Sequence, residues 1–284
     1  MRREMVPKKQ GLYDPRFEHD SCGVGFVCNI KGKRSNSIVK QALEVLKNLS
    51  HRGAVGADPK TGDGAGILIQ IPHEFFIKVA SQEEFKLPPL GEYGTGIVFL
   101  PVDAKERKFC KNIFERVVKE EGLSLLGWRK VPVDDKEIGL TARESQPCIE
   151  QIFIAKGKGV KKGMDFERRL YVVRKVLESK IRDSRLKEKG RFYITNISSR
   201  TFSYKGLLQP HQVEKFFLDL QEKNIKSAIG LVHYRYITNT FPTWDLAQPF
   251  RLTAHNGEIN TLRGNLNWMK AREALLRSDL FGKD

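Results

Sequence analysis

Cys22 stands where a polar, irregular leader (residues 1–21) gives way to the first core-like strand, Cys-Gly-Val-Gly-Phe-Val-Cys-Asn-Ile over 22–30. A lone cysteine is most often a small buried apolar residue. Here the polar leader before it and Gly23 and Gly25 after it point instead to backbone left open to a ligand. Cleavage between Ser21 and Cys22 sets the thiol beside its own α-amine, whose pKa of about 7.7–8.0 leaves it partly neutral at pH 7. That amine can accept the thiol proton, which makes nucleophile and base one residue. Before cleavage, position 22 has an amide nitrogen, which cannot serve as that base. A thiolate attacking an amide creates an oxyanion, and each donor aimed at it lowers the barrier by roughly 3–4 kcal/mol. Asn256, with its side-chain amide, and Gly257, with a backbone N–H unobstructed by a Cβ, suit that task. Arg235 suits a bidentate grip on a substrate carboxylate, or else a structural ion pair. Thr238 adds a hydroxyl donor to the same carboxylate, or is there for its strand propensity alone.

These residues need elements to bring them together. An apolar run at 228–232 reads as a buried strand that delivers His233, Arg235, Thr238 and Asn239 to its end. A second short apolar run, 250–254, leads into His255-Asn256-Gly257-Glu258, and a helical pattern follows over 261–277. Polar groups crowded at strand ends, with glycine among them, mark a site more than a core. Elsewhere the pattern predicts helices over 38–49 (with Ser37 as cap), 105–120, 164–184 and 210–220, and strands over 67–71, 96–100 and 149–155. Residues 192–197 and 199–204 read as a hairpin or strand pair. Strand-rich segments flanked by a few helices indicate layered α+β.

Gly62-Asp63-Gly64-Ala65-Gly66 has the glycine content of a phosphate loop, but its spacing is wrong and a strand rather than a helix follows. It reads as a tight turn near a site. Gly157-Lys158-Gly159 also fails the phosphate-loop pattern and reads as an exposed loop. Cys22, Cys28, Cys110 and Cys148 are scattered, and neither they nor the six histidines have metal-ligand or disulfide-framework spacing. The mean hydropathy is −0.43, and no apolar run reaches the length of a membrane span. No apolar signal core follows the basic N-terminus, so a cytoplasmic location is expected. The net charge of +16 raises the question of nucleic acid. The densest lysine cluster, 156–162, has no aromatic residue for base stacking, and a basic surface docking on an acidic subunit fits better.

Taken together, these residues resemble the glutaminase (class II amidotransferase) domain of glutamate synthase large subunits. The resemblance is borne by YDPRFEHDSCGVGF (13–26), LSHRGAVGADPKTGDGAGILIQIP (49–72), the 192–207 segment and above all 233–273. It implies an N-terminal-nucleophile hydrolase with a four-layer αββα sandwich, residues 1–21 as a propeptide and 22–284 as the glutaminase domain. By matching position it makes Cys22 the nucleophile, Asn256 and Gly257 the oxyanion hole, and Arg235 and Thr238 the anchors of the glutamine carboxylate. The implied reaction is attack on the L-glutamine side-chain amide, release of ammonia, and hydrolysis of a γ-glutamyl thioester. The resemblance also implies that no cofactor sits on this stretch. FMN and an iron–sulfur cluster are expected on a partner synthase domain or chain that makes glutamate from 2-oxoglutarate with electrons from a reductase subunit. Ile237 departs from the family's usual serine, and the family's later Ser-Asp-Ser-type motif is not matched by Ser278-Asp279, which comes too early. Other readings are a catalytically weak docking or regulatory subunit of the same complex, or the glutaminase domain of another class II amidotransferase.

Overall fold

The computed structural model describes residues 9–12, 14, 16, 23–53, 55, 58–235, 241–251, 253–255, 257 and 261–281. Among them, eight strands form two antiparallel sheets. The first comprises β1 (Val24–Cys28), β2 (Ala65–Gln70), β7 (Thr201–Gly206) and β8 (Ile229–Tyr234), in the order β1-β8-β2-β7. The second comprises β3 (Tyr93–Leu100), β4 (Ser124–Lys130), β5 (Cys148–Ala155) and β6 (Tyr193–Ile194), in the order β4-β5-β3-β6. The helices are α1 (Asn36–Asn48), α2 (His73–Gln82), α3 (Ala104–Glu120), α4 (Leu140–Glu144), α5 (Met164–Arg182), α6 (Val213–Phe216) and α7 (Leu262–Glu273). Two antiparallel sheets with helices packed on them match the expected α+β class and the αββα sandwich.

Strand alternation sorts side chains between two cores. In β3, Tyr93, Ile97 and Phe99 join a core shared with Ile67, Ile69, Phe202, Tyr204 and Val232 of the first sheet and with α1 and α2. The opposite parity, Val98 and Leu100 with Ile152 and Ile154 of β5, packs against Phe114 and Val117 of α3 and Leu170 and Val173 of α5. Each such side chain taken from water contributes about 1.5–3 kcal/mol. Asp103 caps α3 by accepting the Glu106 N–H at 2.8 Å. For α1 the cap is Ser35, which accepts the Ile38 N–H at 3.3 Å, so the helix begins before the expected Ser37.

Several local expectations are corrected. Residues 192–197 and 199–204 do not pair. β6 lies in the second sheet beside β3 and β7 lies in the first beside β2, so the chain crosses between sheets at 195–200. Buried side chains of the crossing tie it to both sheets: the Thr195 hydroxyl donates to the Ile97 carbonyl of β3 (2.9 Å) and Asn196 Nδ2 to the Thr201 carbonyl of β7 (2.8 Å). The 210–220 helix is broken into short helical turns because Phe217 turns extended (φ −89°, ψ 94°) to bridge Val133. The rings of Phe216 and Phe217 on either side of that break are both buried. The described residues of 250–254 form no strand, and α7 stops at Glu273 with no buried residue.

Candidate functional site

The face of the first sheet opposite its core holds a row of paired positions: Val24 with His233, His233 with Gly66, and Gly66 with Lys205. In β7, Phe202 and Tyr204 point to the core, while Lys205 has the other parity and is nevertheless fully buried. What covers it is the 244–250 segment, distant in sequence. Its backbone sits directly on Gly66: a Cβ there would lie 2.6 Å from the Gln248 carbonyl oxygen. Gly64, at φ +121°, occupies the left-handed region that favours glycine, and a Cβ there would press on Ala247 at 3.0 Å. Gly64 and Gly66 thus seat this segment, and a strand, β2, begins within the turn at Ala65 where the sequence predicts one at 67–71.

Three contacts pin the segment. Trp244 Nε1 donates to the Ala142 carbonyl at 3.1 Å. The Lys205 ammonium donates to the carbonyls of Asp245 (2.9 Å) and Ala247 (2.6 Å) and to the Tyr193 hydroxyl (3.3 Å). It also lies 4.5 Å from the Tyr193 ring centre and 4.6 Å from that of Phe250. Burial pushes the Lys205 pKa well down, with Asp245 opposing that shift. At the far end Arg251 pairs with the buried Glu167, which also accepts from the Ser198 hydroxyl and the Ser199 N–H and hydroxyl.

The pinned segment in turn holds the residue before Asn256. Gln248 Oε1 accepts the His255 N–H at 2.9 Å, and Gln248 Nε2 donates to the His255 carbonyl at 3.1 Å. The same carbonyl lies 2.6 Å from His233 Nε2, which fixes the proton on Nε2. His233 Nδ1 is buried with no partner among the described residues. Burial lowers the His233 pKa to about 4, so the ring is neutral. His233 therefore ties two stretches together: its strand position pairs with Val24, beside Gly23, whose carbonyl accepts the Tyr234 N–H at 2.8 Å, and its ring holds residue 255.

Of the site residues expected from sequence, Cys22, Thr238 and Asn256 lie outside the described residues, as does Ile237. Arg235 follows β8, half-buried, and its N–H donates to the Gly64 carbonyl at 2.8 Å. Burial lowers its pKa, and Asp63 and Asp245 counter that shift. Gly257 is exposed. A Cβ there would meet only His255 Nδ1, at 3.8 Å, so the described protein atoms do not themselves require glycine at this position.

A family model for class II glutamine amidotransferases matches residues 22–284. The chain belongs to this family. It is 48% identical over 284 residues to the glutamate synthase (NADPH) large chain of Bacillus subtilis, which covers all of this chain and 18% of that relative. It is 47% identical over 288 residues to the glutamate synthase (NADH) of Schizosaccharomyces pombe, covering 98% of this chain and 13% of that protein. With the ferredoxin-dependent glutamate synthase 2 of Synechocystis it shares 41% over 256 residues, 90% of this chain and 16% of the relative. The chain thus spans less than a fifth of the length of these relatives.

The amidotransferase domain is an enzyme domain, and hydrolysis of glutamine is its half-reaction. Among the described residues no His, Cys, Asp or Glu group is clustered to hold a metal ion, and no helix is long and apolar enough to cross a membrane. Lys205 and Gln248 were not legible as site residues. Lysine in a Thr-Phe-Ser-Tyr-Lys-Gly strand reads as solvent-facing, and only its cover by the 244–250 segment makes it internal.

Proposed function

We propose that this domain is the glutaminase of a glutamate synthase, with residues 1–21 removed to free Cys22 and residues 22–284 forming the domain. The junction at His233 is the observation that supports it best. One residue there is the strand partner of Val24, two places from Cys22, and the hydrogen-bond partner of His255, one place from Asn256. The family match begins at Cys22, which supports the same reading.

In this reading the Cys22 amine takes the thiol proton and the thiolate attacks the side-chain amide carbon of L-glutamine. The Asn256 side-chain amide and the Gly257 N–H receive the oxyanion. Collapse of the adduct expels ammonia, its nitrogen protonated by the Cys22 ammonium. Water, deprotonated by the same amine, then cleaves the γ-glutamyl thioester to glutamate. Arg235 and Thr238 hold the α-carboxylate. The guanidinium's partly desolvated position strengthens its attraction for an incoming anion, while Asp63 and Asp245 offset part of its charge. The relatives' names mark glutamate synthases that use NADPH, NADH or ferredoxin. In this reading the protein works in the cytoplasm, and its ammonia passes to a partner synthase domain or chain with FMN and an iron–sulfur cluster, which makes glutamate from 2-oxoglutarate with electrons from a reductase subunit or ferredoxin.

Replacing Cys22 by alanine is expected to abolish glutamine hydrolysis and to leave the leader in place, read by ammonia release and intact mass. Hydrolysis retained in that variant overturns the assignment.

A further inference from the structure

Lys205 and Gln248 are buried polar groups that the reaction itself does not use, and both act on one stretch of backbone. Lys205 spends its ammonium on the carbonyls of residues 245 and 247. Gln248, next in the chain, closes a two-way pair with the N–H and carbonyl of His255. A primary amide is the side chain that can both accept from a peptide N–H and donate to its carbonyl. His233 gives the same carbonyl its second donor.

We propose that Gln248, locked onto the first sheet by Lys205, is a positioning residue that aims the 256–257 donors at the developing oxyanion. This rests on the role proposed above for Asn256 and Gly257. The physical reason for such a device is that a donor stabilises the transition state only where the charge appears, and displacement by about 1 Å can cost on the order of 100-fold in rate. Residues 256 and 257 follow one residue whose two backbone groups are both held by side chains. Their placement therefore depends on Gln248 and, through the 245–247 carbonyls, on Lys205.

The test uses the full-length enzyme with Gln248→Leu, Gln248→Glu, Lys205→Met and Lys205→Arg. The readouts are kcat and KM for L-glutamine and the affinity of a glutamine-derived γ-aldehyde, which adds a thiol to give a tetrahedral oxyanion mimic. Gln248→Leu should lose about 10- to 100-fold in kcat, with KM within about threefold, and bind the aldehyde more weakly in proportion. Gln248→Glu keeps the acceptor for the His255 N–H but loses the donor, and should fall between Leu and the parent. Lys205→Met should follow the same kcat pattern, and Lys205→Arg, which keeps a cationic donor, should recover part of the loss. A kcat within twofold of the parent in folded Gln248→Leu overturns the proposal, as does a loss confined to KM. Where leucine at 248 prevents folding, the isosteric glutamate variant decides on the same two criteria. Labelling by an electrophilic glutamine analogue, located by mass, separates this from the parent reading. An adduct on Cys22 with unchanged kcat in the variants sinks the positioning role alone. No adduct on Cys22 in the unmodified enzyme sinks the nucleophile assignment.

Discussion

Arg129 in the second sheet and Lys205 in the first are both buried cations, and they are held in opposite ways. Arg129 faces the Asp219 carboxylate at 2.6 and 2.5 Å, and the Tyr204 hydroxyl donates to that carboxylate at 3.0 Å. Charge meets charge there, between strand and helical turn. Burial still raises the Asp219 pKa, with the Arg129 guanidinium opposing that rise. The hydrogen-bond partners described for Lys205 are neutral, two carbonyls and a phenol, backed by two aromatic faces. The first arrangement closes on itself and holds the scaffold. The second reaches out to a segment that holds the residue before Asn256. Buried polarity thus serves stability in one sheet and aim in the other.

The difference is most exposed by removing each cation. Arg129→Met leaves the Asp219 charge buried without its partner, and should cost about 3–5 kcal/mol in denaturant unfolding. Adding Asp219→Asn should recover more than half of that, because no orphan charge remains. The surviving folded molecules should keep their kcat. Lys205→Met leaves only neutral partners behind, two carbonyls and a phenol, and should cost about 1–2 kcal/mol while carrying the kcat loss described above. If Arg129→Met lost kcat and Lys205→Met lost only stability, the contrast between the two sheets would be reversed.

A pH titration sharpens the site side of the contrast. The folded pKa of His233, about 4, lies below the usual value near 6.5, because burial disfavours the charged ring. The unfolded chain therefore takes up the proton first as pH falls. Stability due to the neutral ring is complete above about pH 6.5 and is lost progressively down to about pH 4, by about 3 kcal/mol in all. Subtracting the profile of His233→Asn from that of the parent should reveal this fall. Two parallel profiles would show that the ring does not stay neutral as the protein folds.

Much of the frame is legible in the sequence because period and capping are local. The 105–120 pattern gives α3 within one residue of its observed start, and the apolar run at 228–232 starts one residue before β8. β4 is not legible because its alternation is interrupted: the register shifts between Leu125 and Gly127. α2 escapes because it is short, with buried Phe75, Phe76, Val79 and Ala80 that also suit a strand-and-turn reading. In the site, the turn at 62–66 and the strand-end position of Arg235 are readable from composition. The roles of Lys205 and Gln248 are not, since each is defined by a neighbour some forty or seven residues away whose arrival no local pattern announces. The same holds for His233, readable as a polar strand residue but not as the link between residues 24 and 255.

Two glycines, one in each sheet, separate aim from packing, and the smallest effect belongs to one of them. A Cβ at Gly66 would lie 2.6 Å from the Gln248 carbonyl oxygen and 2.7 Å from that of Tyr204. Both are backbone atoms, so the 248 segment has to lift off the sheet. Gly66→Ala should cost about 1–3 kcal/mol as an overpacked site and about tenfold in kcat, since Gln248 moves with its backbone. A Cβ at Gly94 would come within 2.5 Å of Leu170 Cδ1, an equally short distance, but that atom is the free end of a side chain on α5. Rotation of Leu170 relieves the clash, so Gly94→Ala should cost about 1 kcal/mol or less and leave kcat unchanged. Melting curves and steady-state kinetics on the pair are sufficient. Equal kcat losses in both variants would mean that the turnover of this domain senses general packing, and the 244–255 segment would have no special claim on it.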